Sequence, residues 1–203
     1  MEVPVLVAVF TIDQRDSRRD SDRVPSLLQT LGRDVETLRG FERTAGDELQ
    51  GVLTSASAIS TAIGLLLRAR QWNIGIGIGL VDDPLPPSAR AGRGPAYLDA
   101  RAAVTAAKSS PWNLRVVGEN SYGCRQLETV LLLWASVLSR RSLRGWEVVD
   151  LVAQGLSYDE AGRRLGITQS AVSQRAQAAG LIEGRRAQEL AEQLSAQLLQ
   201  GVE

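Results

Sequence analysis

Histidine is absent from this chain of 203 residues, and Cys124 is its single cysteine. Those two shortages exclude Ser-His-Asp and Cys-His triads, histidine-ligated metals, cysteine zinc clusters and any intrachain disulfide. A metal here would have to be a hard cation held by carboxylates or carbonyls. Lysine is nearly missing as well: Lys108 stands alone among 23 basic residues, and the excess of arginine reads as compositional bias. Long apolar runs are lacking, because Val130–Leu138 is about half of the roughly 20 residues that a bilayer span needs. The opening MEVPVLVAVF has neither a basic n-region nor a small-residue cleavage site, so the expectation is a cytoplasmic protein without a membrane partner.

What is present is an ordinary globular composition, 44% hydrophobic and 23% charged, with 23 basic and 23 acidic side chains. At about 150 residues per domain, the length allows one or two domains. Charge is uneven: residues 1–60 hold 7 basic and 10 acidic groups, whereas residues 140–186 hold 8 and 5. The C-terminal part is the mildly basic end.

Residues 3–12 form a β-branched apolar run that ends at Asp13 and reads as a buried strand. After a polar loop, Leu27, Leu28, Leu31, Val35 and Leu38 share one face of a helix starting at Pro25. Phe41–Thr44 and Leu49–Leu53 flank the tetrad Ala45-Gly46-Asp47-Glu48, which predicts a hairpin with the tetrad at its turn. A helix is expected over Ser57–Arg70. Asn73–Val81 (NIGIGIGLV) alternates with period two and predicts a strand whose glycine face admits close packing of backbone or ligand. Its GxGxG is no dinucleotide motif, since no helix follows it directly. Pro95 fits the first turn of a helix to Lys108, and Leu114–Val117 suggests one more strand. The order β-α-β-β-α-β-α-β points to an α+β, ferredoxin-like domain with helices on one face of the sheet.

From Gly123 onward the apolar spacing is helical throughout. Residues 1–120 are therefore expected as the α+β domain and 121–141 as a connecting helix, with Leu127, Val130, Leu131, Trp134, Val137 and Leu138 on one face. Residues 142–182 follow as an all-α domain, and 183–203 as an amphipathic helix. Ala187, Leu190, Ala191, Leu194 and Leu198 form its stripe, which either packs within the chain or makes a homodimer seam.

The stretch Gly155–Gly180 (GLSYDEAGRRLGITQSAVSQRAQAAG) carries the strongest signal. Ser157 and Glu160 make a capping box, Gly166 a left-handed stop, and Thr168 caps a second helix that ends at Gly180. Leu165, Ile167 and Val172 are apolar where two such helices fold on each other, and Gly162 is small where they cross. Glycine at that point weakens the first helix by roughly 1 kcal/mol. This segment, with Ser142–Ser157 before it, resembles the helix-turn-helix of region 4 of sigma factors and of response-regulator output domains. The resemblance implies double-stranded DNA as partner, with the second helix in the major groove. Gln169, Ser170, Ser173 and Gln174 would then face bases and Arg163, Arg164 and Arg175 phosphates, with the cap Thr168 counted among the DNA-binding residues.

The run ERTAGDELQGVL (Glu42–Leu53) is the second focus. A turn that projects Asp47 and Glu48, next to a strand ending at Asp13, gathers the acids that magnesium-dependent phosphate chemistry uses. These residues resemble the SatD family of small bacterial proteins and, more broadly, the palm-like domains of diguanylate cyclases (RxGGDEF) and class III nucleotidyl cyclases. Arg43 and Ala45–Leu49 stand where RxGGDEF would lie. The resemblance implies a cyclase-palm-like fold, with magnesium and a nucleotide near Asp13, Asp47 and Glu48. Ala45 replaces the first glycine of the signature, and Gln14-Arg15-Asp16 replaces the residues that follow the first metal acid in the cyclases. These departures argue against turnover. The reading is a helix-turn-helix transcriptional regulator with a sensing or oligomerising first domain and no catalytic residues. Its rivals are a magnesium-dependent nucleotidyl-transferring enzyme recruited by its helix-turn-helix, and a protein-interaction adaptor.

Overall fold

The computed structural model describes residues 6–17 and 19–201. The chain forms two compact units. One comprises the chain up to Leu132 together with the chain from Leu190 onward; the other is Leu133–Glu189.

The first unit runs β1 (Val7–Gln14), α1 (Val24–Asp34), β2 (Arg39–Arg43), β3 (Glu48–Leu53), α2 (Ala56–Ala69), β4 (Trp72–Gly79), α3 (Pro95–Ala107) and β5 (Leu114–Gly118). These five strands make one mixed sheet in the order β2-β3-β1-β4-β5. β1 is antiparallel to β3 and β4, β2 is antiparallel to β3, and β4 is parallel to β5. As a central strand β1 is buried on both sides, which explains its unbroken apolar run.

The glycines of β4 decide what covers one side. A Cβ at Gly75 would lie 2.2 Å from the backbone nitrogen of Val104, and one at Gly77 would lie 2.1 Å from the carbonyl oxygen of Ala96. The close-packing partner is therefore the backbone of α3. Ala96, Tyr97 and Ala100 of that helix close over Val7, Val9 and Val52. The opposite side of the sheet, with Ala8, Phe10, Ile12, Ile74, Ile76 and Ile78, is buried as well. The buried residues outside the cluster beneath α3 include Leu27 and Leu31 of α1 and Ile59, Ile63 and Leu66 of α2, and Cys124 and Leu198 lie near Ile78. Helices on one face only was the expectation. The backbone of α3 against the glycines and the burial of the opposite side show both faces covered.

Gly51 makes room too. Phe10 and Phe41 meet edge to face across it, with ring centroids 6.1 Å apart and planes at 78°. Such a pair contributes about 0.5–1.5 kcal/mol beyond its burial. The first helix is shorter than its apolar pattern suggested. It ends at Asp34, so Val35 and Leu38 lie in the following segment, Val35 buried and Leu38 exposed.

α4 (Ser121–Ser139) runs across the unit boundary, with Leu127, Leu131, Trp134 and Leu138 buried. Then come α5 (Leu143–Ala153), α6 (Tyr158–Leu165), α7 (Gln169–Ala178) and α8 (Leu181–Gln200). α8 occupies the stretch expected as a C-terminal helix, and from Leu190 onward the chain groups with the first unit. There Ala191, Ser195 and Leu198 are buried, Ser60 donates to Glu192 Oε2 at 3.4 Å, and Leu198 fills the space that Gly123 leaves. That part of the stripe is consumed within the chain, while Leu190 stays 43% exposed. Among the described residues no helix is long and apolar enough to cross a membrane.

Candidate nucleic-acid interface and the acidic hairpin

The second unit is assembled from caps. The Ser142 hydroxyl accepts from the Gly145 amide at 3.1 Å and starts α5. At α6 the Ser157 hydroxyl accepts from the Glu160 amide at 3.3 Å, and Glu160 Oε2 accepts from the Ser157 amide at 2.8 Å. The hydrogen bond from the Ser157 hydroxyl, followed by the one from its amide, holds the Glu160 carboxyl below its ordinary range. Gly166, at φ 65°, closes α6 in the left-handed region, and the Thr168 hydroxyl opens α7 by accepting from the Ala171 amide at 3.1 Å. Val148, Ala161, Val172, Ala176 and Leu181 form the core, with Leu165 and Ile167 half-buried against it. At Gly162 a Cβ would stand 2.8 Å from the carbonyl oxygen of Ile167, so the missing side chain lets the turn close on α6.

This frame leaves Thr168, Gln169, Ser170, Ser173 and Gln174 exposed at the first turns of α7. Arg163 and Arg164 are exposed on α6, and Arg175 is half-buried. Arg163 meets Asp159 at 3.2 Å with both side chains mostly in solvent, an i,i+4 pair of about 0.3–0.5 kcal/mol.

Arg141 has a role that the sequence pattern did not reveal. Its Nε donates to the Ala179 carbonyl at 2.8 Å and its Nη2 to the Gly180 carbonyl at 3.2 Å, while the guanidinium lies 4.6 Å above the Trp146 ring. It thereby satisfies carbonyls at the C-terminus of α7 with a charge of the sign that the helix end favours. Gly184 makes this fit, since a Cβ there would fall 2.2 Å from Arg141 Nη2. The only trace in the sequence is a glycine inside a helix.

In the first unit, β1 and β3 set Asp13 directly opposite Glu48. Asp13 Oδ2 accepts from Asn73 Nδ2 at 3.0 Å and lies 3.0 Å from Lys108 Nζ. Glu48 accepts from the Thr44 hydroxyl at 2.7 Å and from Arg101 Nη1 at 2.8 Å. Asp47 sits in the turn, where its backbone carbonyl accepts from the Gln14 amide at 3.2 Å. Arg43, expected to stand at the arginine of an RxGGDEF-like run, is paired with Asp22. The hairpin therefore joins two of the three expected acids, each already matched by a cation. Among the described residues no group of three or more acids and cysteines able to hold a metal is formed.

Cys124 is buried, and burial pushes its thiol up to about 11, so it is a protonated core group at neutral pH. Compared with protein families, curated proteins and solved structures, the chain matches none.

Proposed function

We propose that the chain is a sequence-specific regulator of transcription that binds double-stranded DNA through its second unit. The observation that carries this reading is the polar row Gln169, Ser170, Ser173 and Gln174, exposed at the start of a capped helix that follows a tight glycine turn. Gln offers a bidentate partner to adenine and Ser a partner to most bases, while Arg163, Arg164 and Arg175 supply phosphate contacts. A two-fold operator read by a homodimer is part of the proposal, because one short helix covers only a half-site.

The first unit is proposed to sense or assemble on a ferredoxin-like, cyclase-palm-like scaffold. Support comes from the β-α-β-β-α-β order of its first six elements and from the antiparallel arrangement β2-β3-β1-β4. Catalysis by Asp13 and Glu48 is not proposed, since Lys108 and Arg101 already neutralise them.

Selection of random duplex DNA on the full chain, followed by a salt titration of the enriched sequence, tests the reading. Enrichment of a two-fold site with a steep salt slope is expected. Weak binding with no preferred sequence would overturn it and leave a docking module.

A further inference from the structure

The first unit contains a cavity of about 600 Å³ at the N-terminal end of α3, formed in part by Arg90, Arg93, Arg101, Gln50, Tyr97 and Leu98. Asp82 also lines it, and Glu42 and Glu48 lie against Arg90 and Arg101, so of the three arginines in the wall Arg93 is the one without an ion pair among the described residues.

Each arginine has donors to spare. The Arg93 guanidinium has no partner among the described residues, while its carbonyl accepts from the Asp82 amide at 2.9 Å and anchors the backbone. Arg90 stands 4.0 Å from Glu42, whose carboxylate already accepts from the Ser88 hydroxyl at 2.5 Å. Arg101 uses Nη1 for Glu48 and keeps its other nitrogens. Arginine forks of this kind match phosphate oxygens two at a time.

Tyr97 supplies an independent observation. It is 7% exposed, and its hydroxyl is the one buried side-chain polar atom without a hydrogen-bond partner among the described residues. That hydroxyl is packed against Gly92, which also lines the cavity and where a Cβ would fall 2.0 Å from it. Burial raises the Tyr97 pKa, so the group stays a proton donor. An orphaned donor beside an arginine-lined cavity calls for an acceptor. Beside it, Pro95 and the 73% exposed Leu98 offer apolar surface.

We propose that this cavity binds a small organic phosphate, its phosphate held by Arg90, Arg93 and Arg101 with the Tyr97 hydroxyl donating, and its apolar part resting on Leu98. The site lies wholly within the first unit, so it stands whether or not the second unit binds DNA. Titration calorimetry on the full chain at fixed ionic strength, with inorganic phosphate and with phenyl phosphate, tests it. Both should bind saturably, phenyl phosphate more tightly. Arg93→Ala should weaken both at least tenfold without lowering the unliganded melting temperature. Tyr97→Phe should weaken binding while leaving the unliganded protein as stable or more so, a combination that a purely structural tyrosine does not give. Arg33→Ala, an exposed arginine on α1, should change neither. Absence of saturable binding, an equal loss in Arg33→Ala, or unaltered binding in Arg93→Ala would overturn the site. Equal affinity for the two probes would overturn the organic part of the ligand.

Discussion

Lys108 holds its ammonium 3.0 Å from the Asp13 carboxylate, so the single lysine of the chain meets the acid that ends the first strand. Asn73 donates to the same oxygen and is itself buried, whereas the Lys108 side chain is 57% exposed. The two partners should differ in weight. Removing an exposed cation costs at most about 1 kcal/mol. Removing the carboxylate strands a buried amide donor, which costs about 1–3 kcal/mol. Urea unfolding should therefore find Asp13→Ala clearly more destabilising than Lys108→Ala. Equal losses would mean that the ion pair, and not the Asn73 hydrogen bond, anchors this corner.

The glycines of β4 make a graded test of helix approach. Cβ atoms at Gly75 and Gly77 would meet α3 backbone at 2.2 and 2.1 Å, but one at Gly79 would meet its nearest atom at 3.7 Å, an ordinary contact. Strand propensity favours alanine at all three positions, by less than about 1 kcal/mol. Helix backbone cannot rotate aside as a side chain does, so overpacking prevails at the first two positions. Gly75→Ala and Gly77→Ala should lose about 3 kcal/mol or more, while Gly79→Ala stays within about 0.5 kcal/mol of the parent. Thermal melts of the three variants separate the cases.

Much of this architecture was legible beforehand, and for local reasons. Ser157, Glu160, Gly166 and Thr168 announce the caps and turn of α6 and α7 because each interaction spans three or four residues. The alternation in NIGIGIG announced both a strand and a close neighbour, yet not which neighbour, since α3 lies some twenty residues further on. The partners of the acidic hairpin were hidden for the same reason. Asp13 and Glu48 do sit together, but Lys108 and Arg101, which decide their chemistry, come from a helix more than fifty residues beyond Glu48. Arg141 reaches the end of α7 across 38 residues, and nothing in its neighbours announces that.

The capping box gives α6 a measurable dependence on acidity. Glu160 has its pKa lowered in the folded state by the Ser157 hydroxyl and amide, from an ordinary value of 4.5. A depressed carboxylate stabilises fully above its unfolded pKa and loses that contribution as pH falls through the folded one. The melting temperature should therefore decline from just above pH 4.5 downward in part because of this group, and Glu160→Gln should flatten that part of the profile. Carboxyl NMR titration supplies the direct check: a Glu160 midpoint at or above 4.5 would contradict the cap.

If α7 reads DNA, its residues should separate into two kinds. Gln169 is exposed at the first position of the helix, where a bidentate contact to adenine is worth about 1–3 kcal/mol of discrimination. Gln169→Ala should lower affinity for the selected site while leaving non-matching DNA nearly unaffected, so the ratio between them shrinks. Arg164 and Arg175 carry charge without base preference. Arg164→Ala or Arg175→Ala should weaken all sequences alike and reduce the salt slope by about 1. Arg141→Ala supplies the contrast. It frees the Ala179 and Gly180 carbonyls at the far end of α7, so it should lower the melting temperature yet preserve the preference among sequences. Binding isotherms at several salt concentrations distinguish the three patterns, and a Gln169→Ala variant that behaves like Arg164→Ala would remove Gln169 from the bases.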